Sequence, residues 1–587
     1  MKKLIKSVSV CSLFVSLFML TACVHQDANN THQNTYQKEP SYLDARAGSV
    51  SGAYLAGRFA QHNSDWKAAS KFMRRVLQQD DQNNKLMLRT FLLSLGDGDT
   101  KNAISLAEQL MEEGKNTELA TILLILDAIA QDNPQKAWNM TEEIKEGGFN
   151  DYTKPLLQSW LLIMMGSDDI ALANIKKHID VFEQDPIYIL HTAMISEYTG
   201  DIAQAEEYYQ KVIVGGDFTV HAVLAIANFY ERHGQKDKAE KLYSRMTSQS
   251  NPYQVLSLTQ MAEMVGKATQ DPKEAVSLML FELATLLYEK KAYDSALIYA
   301  RLAQVMTPNS PFVSVMLGDI SSVQGNYSEA VDRYNSVEEQ SGMGRFARLK
   351  AAETLEASGR KDEAVAILAK AAETDKEYAD TLIYLGDIYR RHEQYAEAVH
   401  AYDDALKRIG DVKAEHWFIV YARGMSLERL ENWERAEQDL LKALELNPEN
   451  PMVLNYLGYS WIDKGVHMDR AMEMIKKAVV LRPDDGYITD SYGWALFRQG
   501  NYVEAVRWLE YSVEHVPYDV TINDHLGDAY WRVGRRTEAR FQWKRALNQA
   551  QDEADRKVLR HKIQFGLPDV DKKKPLSVER EAMLREF

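Results

Sequence analysis

The chain has 587 residues, 26% of them charged and 45% hydrophobic, with a formal net charge of −16 and two cysteines. So acidic a body repels nucleic acid, and no zinc or recognition-helix motif argues otherwise, so that class of partner is set aside. A single compact domain of this length would have to split, whereas a repeat array grows without a larger core because each unit touches only its neighbours.

Residues 1–22 read as a segment to be removed. Met1-Lys2-Lys3-Leu4-Ile5-Lys6 is a basic start and Val8 to Leu20 is mostly apolar, a run too short to span a bilayer comfortably. Leu20-Thr21-Ala22-Cys23 resembles the bacterial lipobox, which implies a lipoprotein signal peptide at 1–22 and a lipid on Cys23. Cys11 then leaves with the signal, and no disulfide is expected. Val24 stands where an aspartate would mark inner-membrane retention. The resemblance therefore implies a lipid-anchored protein of the bacterial outer membrane, facing the periplasm. Residues 23–47 are assigned to the lipidated cysteine and a tether, of which the eighteen residues from Val24 to about Ser41 are rich in Asn, Gln and His with no apolar period. That stretch is expected to be flexible, with a reach of about 25 Å.

Beyond the tether, alanines fall on a lattice. Ala69, Ala103, Ala137, Ala171, Ala205 and Ala239 are spaced by 34 residues, and the series resumes at Ala296, Ala330, Ala364 and Ala398, then Ala436, Ala471, Ala505 and Ala539. Twelve residues upstream, many copies carry a small mark: Leu317-Gly318, Leu385-Gly386, Tyr492-Gly493 and Leu526-Gly527. Prolines close several units at Pro308, Pro448, Pro483 and Pro517, where a helix must stop for want of a backbone donor. Each unit reads as two amphipathic helices and a tight turn, with glycine and alanine where the helices touch. The gap from Ala239 to Ala296 is 57 residues. It holds either an extra helix at about Tyr253 to Gly266, a candidate hinge, or a repeat whose marks have eroded.

These residues match the tetratricopeptide repeat: a large residue, a leucine-glycine pair, an aromatic, an alanine, an aromatic, a second alanine and a proline. The copies from Tyr492-Gly493 to Pro517 and from Leu526-Gly527 to Ala546 resemble it most closely. Resemblance is strong from about Phe281 and weaker before, where Ile125 and Ser159 replace the small residue. It implies an all-α solenoid, a right-handed superhelix of stacked helix-turn-helix units. The expected organisation is an N-terminal degenerate array at 48–250, an interruption at 251–276, a C-terminal array at 277–550, and a C-terminal helix with a charged tail at 551–587.

In such arrays the first helix of each unit lines the concave side, and candidate binding residues are those that packing does not require. In the last three units they are Asn455 and Tyr459, then Tyr487, Asp490, Trp494 and Arg498, then Asp528, Trp531 and Arg532. Aromatics and arginine are enriched at binding hot spots, although Trp494 and Trp531 could equally pack against the next unit. The family's carboxylate clamp for chaperone tails is not matched, since Asp490 and Asp528 stand in place of its lysines. Arg532, Arg535, Arg536, Arg540, Lys544 and Arg545 form a basic cluster, either a dock for an acidic surface or a solvated face closing the stack.

No catalytic, metal or cofactor motif is present, so a non-enzymatic scaffold for protein partners is expected. The plan resembles the outer-membrane adaptor lipoproteins of periplasmic carboxyl-terminal processing proteases. That resemblance implies binding and activation of a protease and presentation of substrates such as cell-wall hydrolases. Two alternatives stay open: an assembly factor for a pilus, secretion or polysaccharide-export machine, and a glycan-acting enzyme using carboxylates such as Asp490 and Asp524.

Overall fold

In the computed structural model every alanine of the lattice, from Ala69 to Ala539, is buried, fourteen side chains with at most 1% of their surface exposed. The structure describes residues 49–568 apart from 116, 145–149, 180, 182–184, 216–218, 247–270, 340–341, 375 and 377. The signal segment, Cys23, the tether, the proposed helix at 253–266 and the tail beyond 568 lie outside the described residues. Among those described there are 29 α-helices and no strand, and the fold is a tetratricopeptide-type solenoid of antiparallel hairpins. Contact clustering separates two compact units, one ending at Ala371 and one beginning at Ala372.

The first unit opens with six hairpins: α1 (Val50–His62) with α2 (Trp66–Leu77), α3 (Asn84–Asp97) with α4 (Thr100–Glu112), α5 (Glu118–Ala130) with α6 (Pro134–Thr141), α7 (Asn150–Met164) with α8 (Asp168–Ile179), α9 (Pro186–Tyr198) with α10 (Ile202–Gly215), and α11 (Val220–Arg232) with α12 (Lys236–Met246). Then come α13 (Pro272–Glu289) with α14 (Tyr293–Met306), α15 (Pro311–Val323) with α16 (Tyr327–Asn335), and α17 (Gly342–Ala357) with α18 (Lys361–Thr374), whose last turn belongs to the second unit. That unit continues with α19 (Asp380–Arg391) and α20 (Tyr395–Ile409), α21 (Trp417–Arg429) and α22 (Trp433–Leu446), α23 (Pro451–Lys464) and α24 (Met468–Leu481), α25 (Gly486–Arg498) and α26 (Tyr502–His515), α27 (Val520–Arg532) and α28 (Arg536–Gln549), and a closing helix α29 (Glu553–Phe565).

Sequence supplies the helix starts. Ser49, Asp65, Asn83, Asp99, Thr117 and Asp519 each turn a side-chain oxygen to a backbone N–H of the first turn, which satisfies a donor the helix leaves orphaned. Pro272, Pro311 and Pro451 occupy the first turn, where no N–H is needed. Between paired helices one residue takes a left-handed conformation. It is Gly500 or Gly534 in some hairpins, but Lys291, Glu393 and Glu431 in others, where a side chain makes that conformation costly.

Within three hairpins the leucine-glycine mark extends to Leu-Gly-Asp, and the third residue has a job of its own. A Cβ on Gly386 would stand 2.6 Å from the Tyr402 ring, and the Tyr402 hydroxyl donates to Asp387 at 2.6 Å. Gly318, Asp319 and Tyr334 repeat the arrangement, with a hydroxyl-to-carboxylate distance of 2.7 Å. In the last hairpin Trp543 lies against Gly527 and its indole N–H reaches Asp528 at 2.9 Å. The bare glycine lets the ring in, and the neighbouring carboxylate satisfies the polar tip that burial would otherwise strand.

In the first unit the chain returns over its own first helices. The hairpin of α13 and α14 packs on the first helices of four earlier hairpins, α14 against α3 and α5, and α13 against α7 and α9. Composition explains this. Ile122 to Leu126 on α5, Tyr188 to Ser196 on α9 and Ala275 to Ala284 on α13 are continuous buried runs, the pattern of helices covered on every side rather than along one stripe. Polar anchors fix the register. The buried Arg301 donates to the Gly96 carbonyl at 3.0 Å and to Glu329 at 3.2 Å, Thr219 donates to Glu282 at 2.5 Å, Lys273 pairs with Asp132 at 2.6 Å, and Asn326 donates to the Ser64 carbonyl at 2.8 Å. The first compact unit runs through to Ala371, and within it α13 and α14 supply the apolar cover for α3, α5, α7 and α9.

Gly386→Ala is expected to lower the stability of the second unit by about 1–3 kcal/mol, since the Tyr402 ring must shift. Glu393→Gly, which relieves the left-handed turn, is expected to raise it by about 0.5–1 kcal/mol. Urea midpoints of the two variants moving in the same direction would contradict this account. Burial lifts the Glu282 carboxyl from 4.5 to about 7, with Thr219 pulling against the rise and Glu289 adding to it. The folded chain then keeps a proton that the unfolded chain releases, so stability falls as pH rises from about 4.5 to about 7 and levels off above. Glu282→Gln is expected to abolish that slope and to raise stability at pH 8 by on the order of 1–3 kcal/mol, as measured by urea unfolding at pH 5 and pH 8.

Candidate partner-binding face

In the second unit the strongest packing between helices joins chain neighbours and next neighbours, and the first helices α19, α21, α23, α25 and α27 follow one another along one face. Equivalent positions recur every 34 or 35 residues, and the row of Met425, Tyr459 and Trp494 grades from half-buried to buried. Phe418, Met452 and Tyr487 form one such row, the first two half-buried and Tyr487 39% exposed. Met425 and Tyr459 belong to a second row and are half-buried too. On α23, Asn455 is half-buried, with its Oδ1 sealed from solvent and without a hydrogen-bond partner among the described residues. Here the face offers apolar surface, and the Asn455 amide can meet a bound peptide only through its NH2 end.

One step along, the candidates are engaged by the next hairpin. Both carboxylate oxygens of Asp490 lie 3.0 Å from His525 Nδ1, and the imidazole stacks on the Trp494 indole with ring centroids 3.9 Å apart. Trp494 also stacks on Phe497 at 4.7 Å. It is buried, and its indole nitrogen has no acceptor among the described residues. Burial works against a charge on His525, but Asp490, with smaller help from Asp524 and Asp528, outweighs it and holds the imidazole above its ordinary pKa. Arg498 lies along α23, its guanidinium 3.5 Å from the Asp463 carbonyl and 3.7 Å from the carboxylate.

At the last hairpin α29 covers the face. Lys562 Nζ lies 2.7 Å from Asp524 and 2.9 Å from Asp528. Burial raises the Asp528 carboxyl to about 6 against the pull of Lys562, while burial of Lys562 is outweighed by Asp524 and Asp528, which keep the ammonium charged. The turn after α29 rests on Trp531, where a Cβ on Gly566 would overlap the indole, and Arg536 stacks on that ring with its guanidinium 3.9 Å from the centroid. Arg532 donates to the Pro568 carbonyl at 2.7 Å.

The candidate residues therefore fall into three groups. Asn455, Tyr459 and Tyr487 border the more open stretch of the face, Asp490, Trp494 and Arg498 pack between hairpins, and Asp528, Trp531 and Arg532 seat the closing helix. The basic cluster is mostly consumed inside the chain. Arg535 bonds Glu510 at 2.9 Å and Glu538 at 3.1 Å, and Arg536, Arg540 and Arg545 donate to the carbonyls of Trp531, Ile563 and Pro517. Two residues that matter here went unread in the sequence, His525 and Lys562. Lys562 lies 34 residues past Asp528, a spacing that could have revealed it. Among the described residues no group of three or more His, Cys, Asp or Glu could hold a metal, and no helix is long and apolar enough to cross a membrane.

Residues 417–450 and 490–510 match two models of the tetratricopeptide repeat. Over 216 residues the chain is 32% identical to a TPR repeat-containing protein of Pseudomonas aeruginosa, a match that covers 36% of this chain and 35% of that one. The chain thus spans about a third of the length of that curated relative. Among solved structures it is similar to Cut9–Hcn1 of the APC/C, with 15% identity, 90% of this chain and 98% of that chain covered and a TM-score of 0.38. It is likewise similar to yeast Tom70, with 12% identity, 92% and 96% covered and a TM-score of 0.32. The segments 417–450 and 490–510 lie on α21–α22 and α25–α26, so these two hairpins are the ones that match the tetratricopeptide repeat.

Proposed function

We propose that this protein is an envelope scaffold that holds protein partners on the first-helix face of its second unit. One observation carries the reading: the two units treat that face differently. In the first it is packed with the apolar helices α13 and α14. In the second, the stretch from α21 to α25 carries half-buried aromatic and methionine side chains beside the Asn455 amide. An extended segment laid there would bury apolar side chains against Phe418, Met452 and Tyr487 and bond its backbone to Asn455.

The finer reading rests on the sequence. Lipid on Cys23 would fix the scaffold to the outer membrane, facing the periplasm, and the overall plan favours an adaptor for a carboxyl-terminal processing protease and its cell-wall hydrolase substrates. Cys23→Ser should release the protein from the membrane fraction. Retention of that variant in the membrane would end the lipoprotein reading.

Photo-crosslinkers at Tyr487 and, as a control on a second helix, at the exposed Val503 test the binding face in cells. Partners should be trapped from Tyr487 and not from Val503, and Asn455→Ala with Tyr487→Ala should weaken capture about tenfold, roughly 1.4 kcal/mol, with helicity unchanged. Equal trapping from both positions would refute the assignment of this face. Recovery of neither a serine protease nor a cell-wall hydrolase would leave the scaffold but remove the adaptor role.

A further inference from the structure

The first hairpin is basic within an acidic chain and shows large apolar side chains to solvent on the same helix. From Ser49 to Gln78 it carries Arg58, Lys67, Lys71, Arg74 and Arg75 against Asp65 alone, within a chain of net charge −16. Leu55 is 67% exposed and Phe59 49% on α1, and Arg58 and His62 are exposed on the same face of that helix. Lys71, Arg74, Arg75, Gln78 and Asn102 line a surface cleft between α2 and α4, where Arg74 is paired with Asp99 and Lys71 and Arg75 also have partners within the chain.

We propose that this hairpin docks on an anionic phospholipid surface, with Leu55 and Phe59 entering the interface while Arg58, Lys67 and the cleft cations meet lipid phosphates. The proposal rests on the lipid-anchored reading, which puts a membrane near this end of the chain. Apolar side chains flanked by cations are what a monotopic contact on an anionic surface needs. The other occupants fit less well. Residues 24–48 offer only Val24, Tyr36, Tyr42 and Leu43 as large apolar side chains, and their acids Asp27, Glu39 and Asp44 are nearly balanced by Lys38 and Arg46, too small a surplus to match the cations. A second copy in two-fold contact would set Arg58 and Lys67 against their own kind. Docking would also orient the molecule, because the acidic remainder is repelled from the same surface.

The test uses residues 24–587, which lack Cys23 and keep every described residue, in flotation with phosphatidylethanolamine vesicles containing a quarter phosphatidylglycerol and with phosphatidylcholine vesicles. Binding is expected to the first and not the second, with at least a tenfold loss for Leu55→Glu/Phe59→Glu and for Arg58→Glu/Lys67→Glu while circular dichroism is unchanged. Absence of flotation on anionic vesicles, variants that float like the parent, or a lipid-independent dimer abolished by Leu55→Glu/Phe59→Glu would each overturn the proposal. Because the assay lacks Cys23, its result is independent of the Cys23→Ser fractionation, and failure of one reading is distinguishable from failure of the other.

Discussion

Close approach of two helices through side chains too small to keep them apart is the contact on which everything else depends. Fourteen buried alanines, one per hairpin, let the backbones come together, and in three hairpins a glycine opposite admits a large ring into the space so made. A carboxylate one residue further on takes the polar tip of that ring. Dispersion contacts and a satisfied donor are gained together, so the hairpin is both tight and polar-complete. Stacking then needs no further device, because each hairpin leaves an apolar side that only another hairpin can cover.

From that common unit the two halves of the chain diverge through the polarity of their first helices. Where those helices are apolar all round, as at Ile122 to Leu126, they require cover, and α13 and α14 provide it. Where tyrosine, methionine and asparagine interrupt the apolar pattern, as on α23, a half-buried surface remains. On the proposed reading partner capture falls to the second unit, while the first is built as a self-filled body whose buried Glu282 and Arg301 tie distant segments together.

Much of this was legible in the residues themselves. The period of 34 gave the hairpins, their boundaries and their contact points, because packing of small residues is local and repeats with the chain. Leu-Gly-Asp was also in view, but the role of its aspartate depends on a ring 15 residues later and emerges only from the packed hairpin. Two things were hidden. The covering of α3 to α9 joins residues as far apart as Gly96 and Arg301, a pairing that no period encodes, and only the unbroken apolar runs hinted at it. Trp494 and Trp531 are residue types typical of binding sites, yet composition cannot say whether the atoms above such a ring come from another molecule or, as with His525 and Gly566, from the same chain.

Lys562 keeps step with the array, standing where the next copy would carry the counterpart of Asp528. Helix α29 is therefore a coda written in the same metre as the verses before it, with the charge inverted to meet Asp524 and Asp528. One ammonium thus answers two carboxylates of the last hairpin at once, so the face left bare by the final repeat is closed by charge as well as by apolar contact.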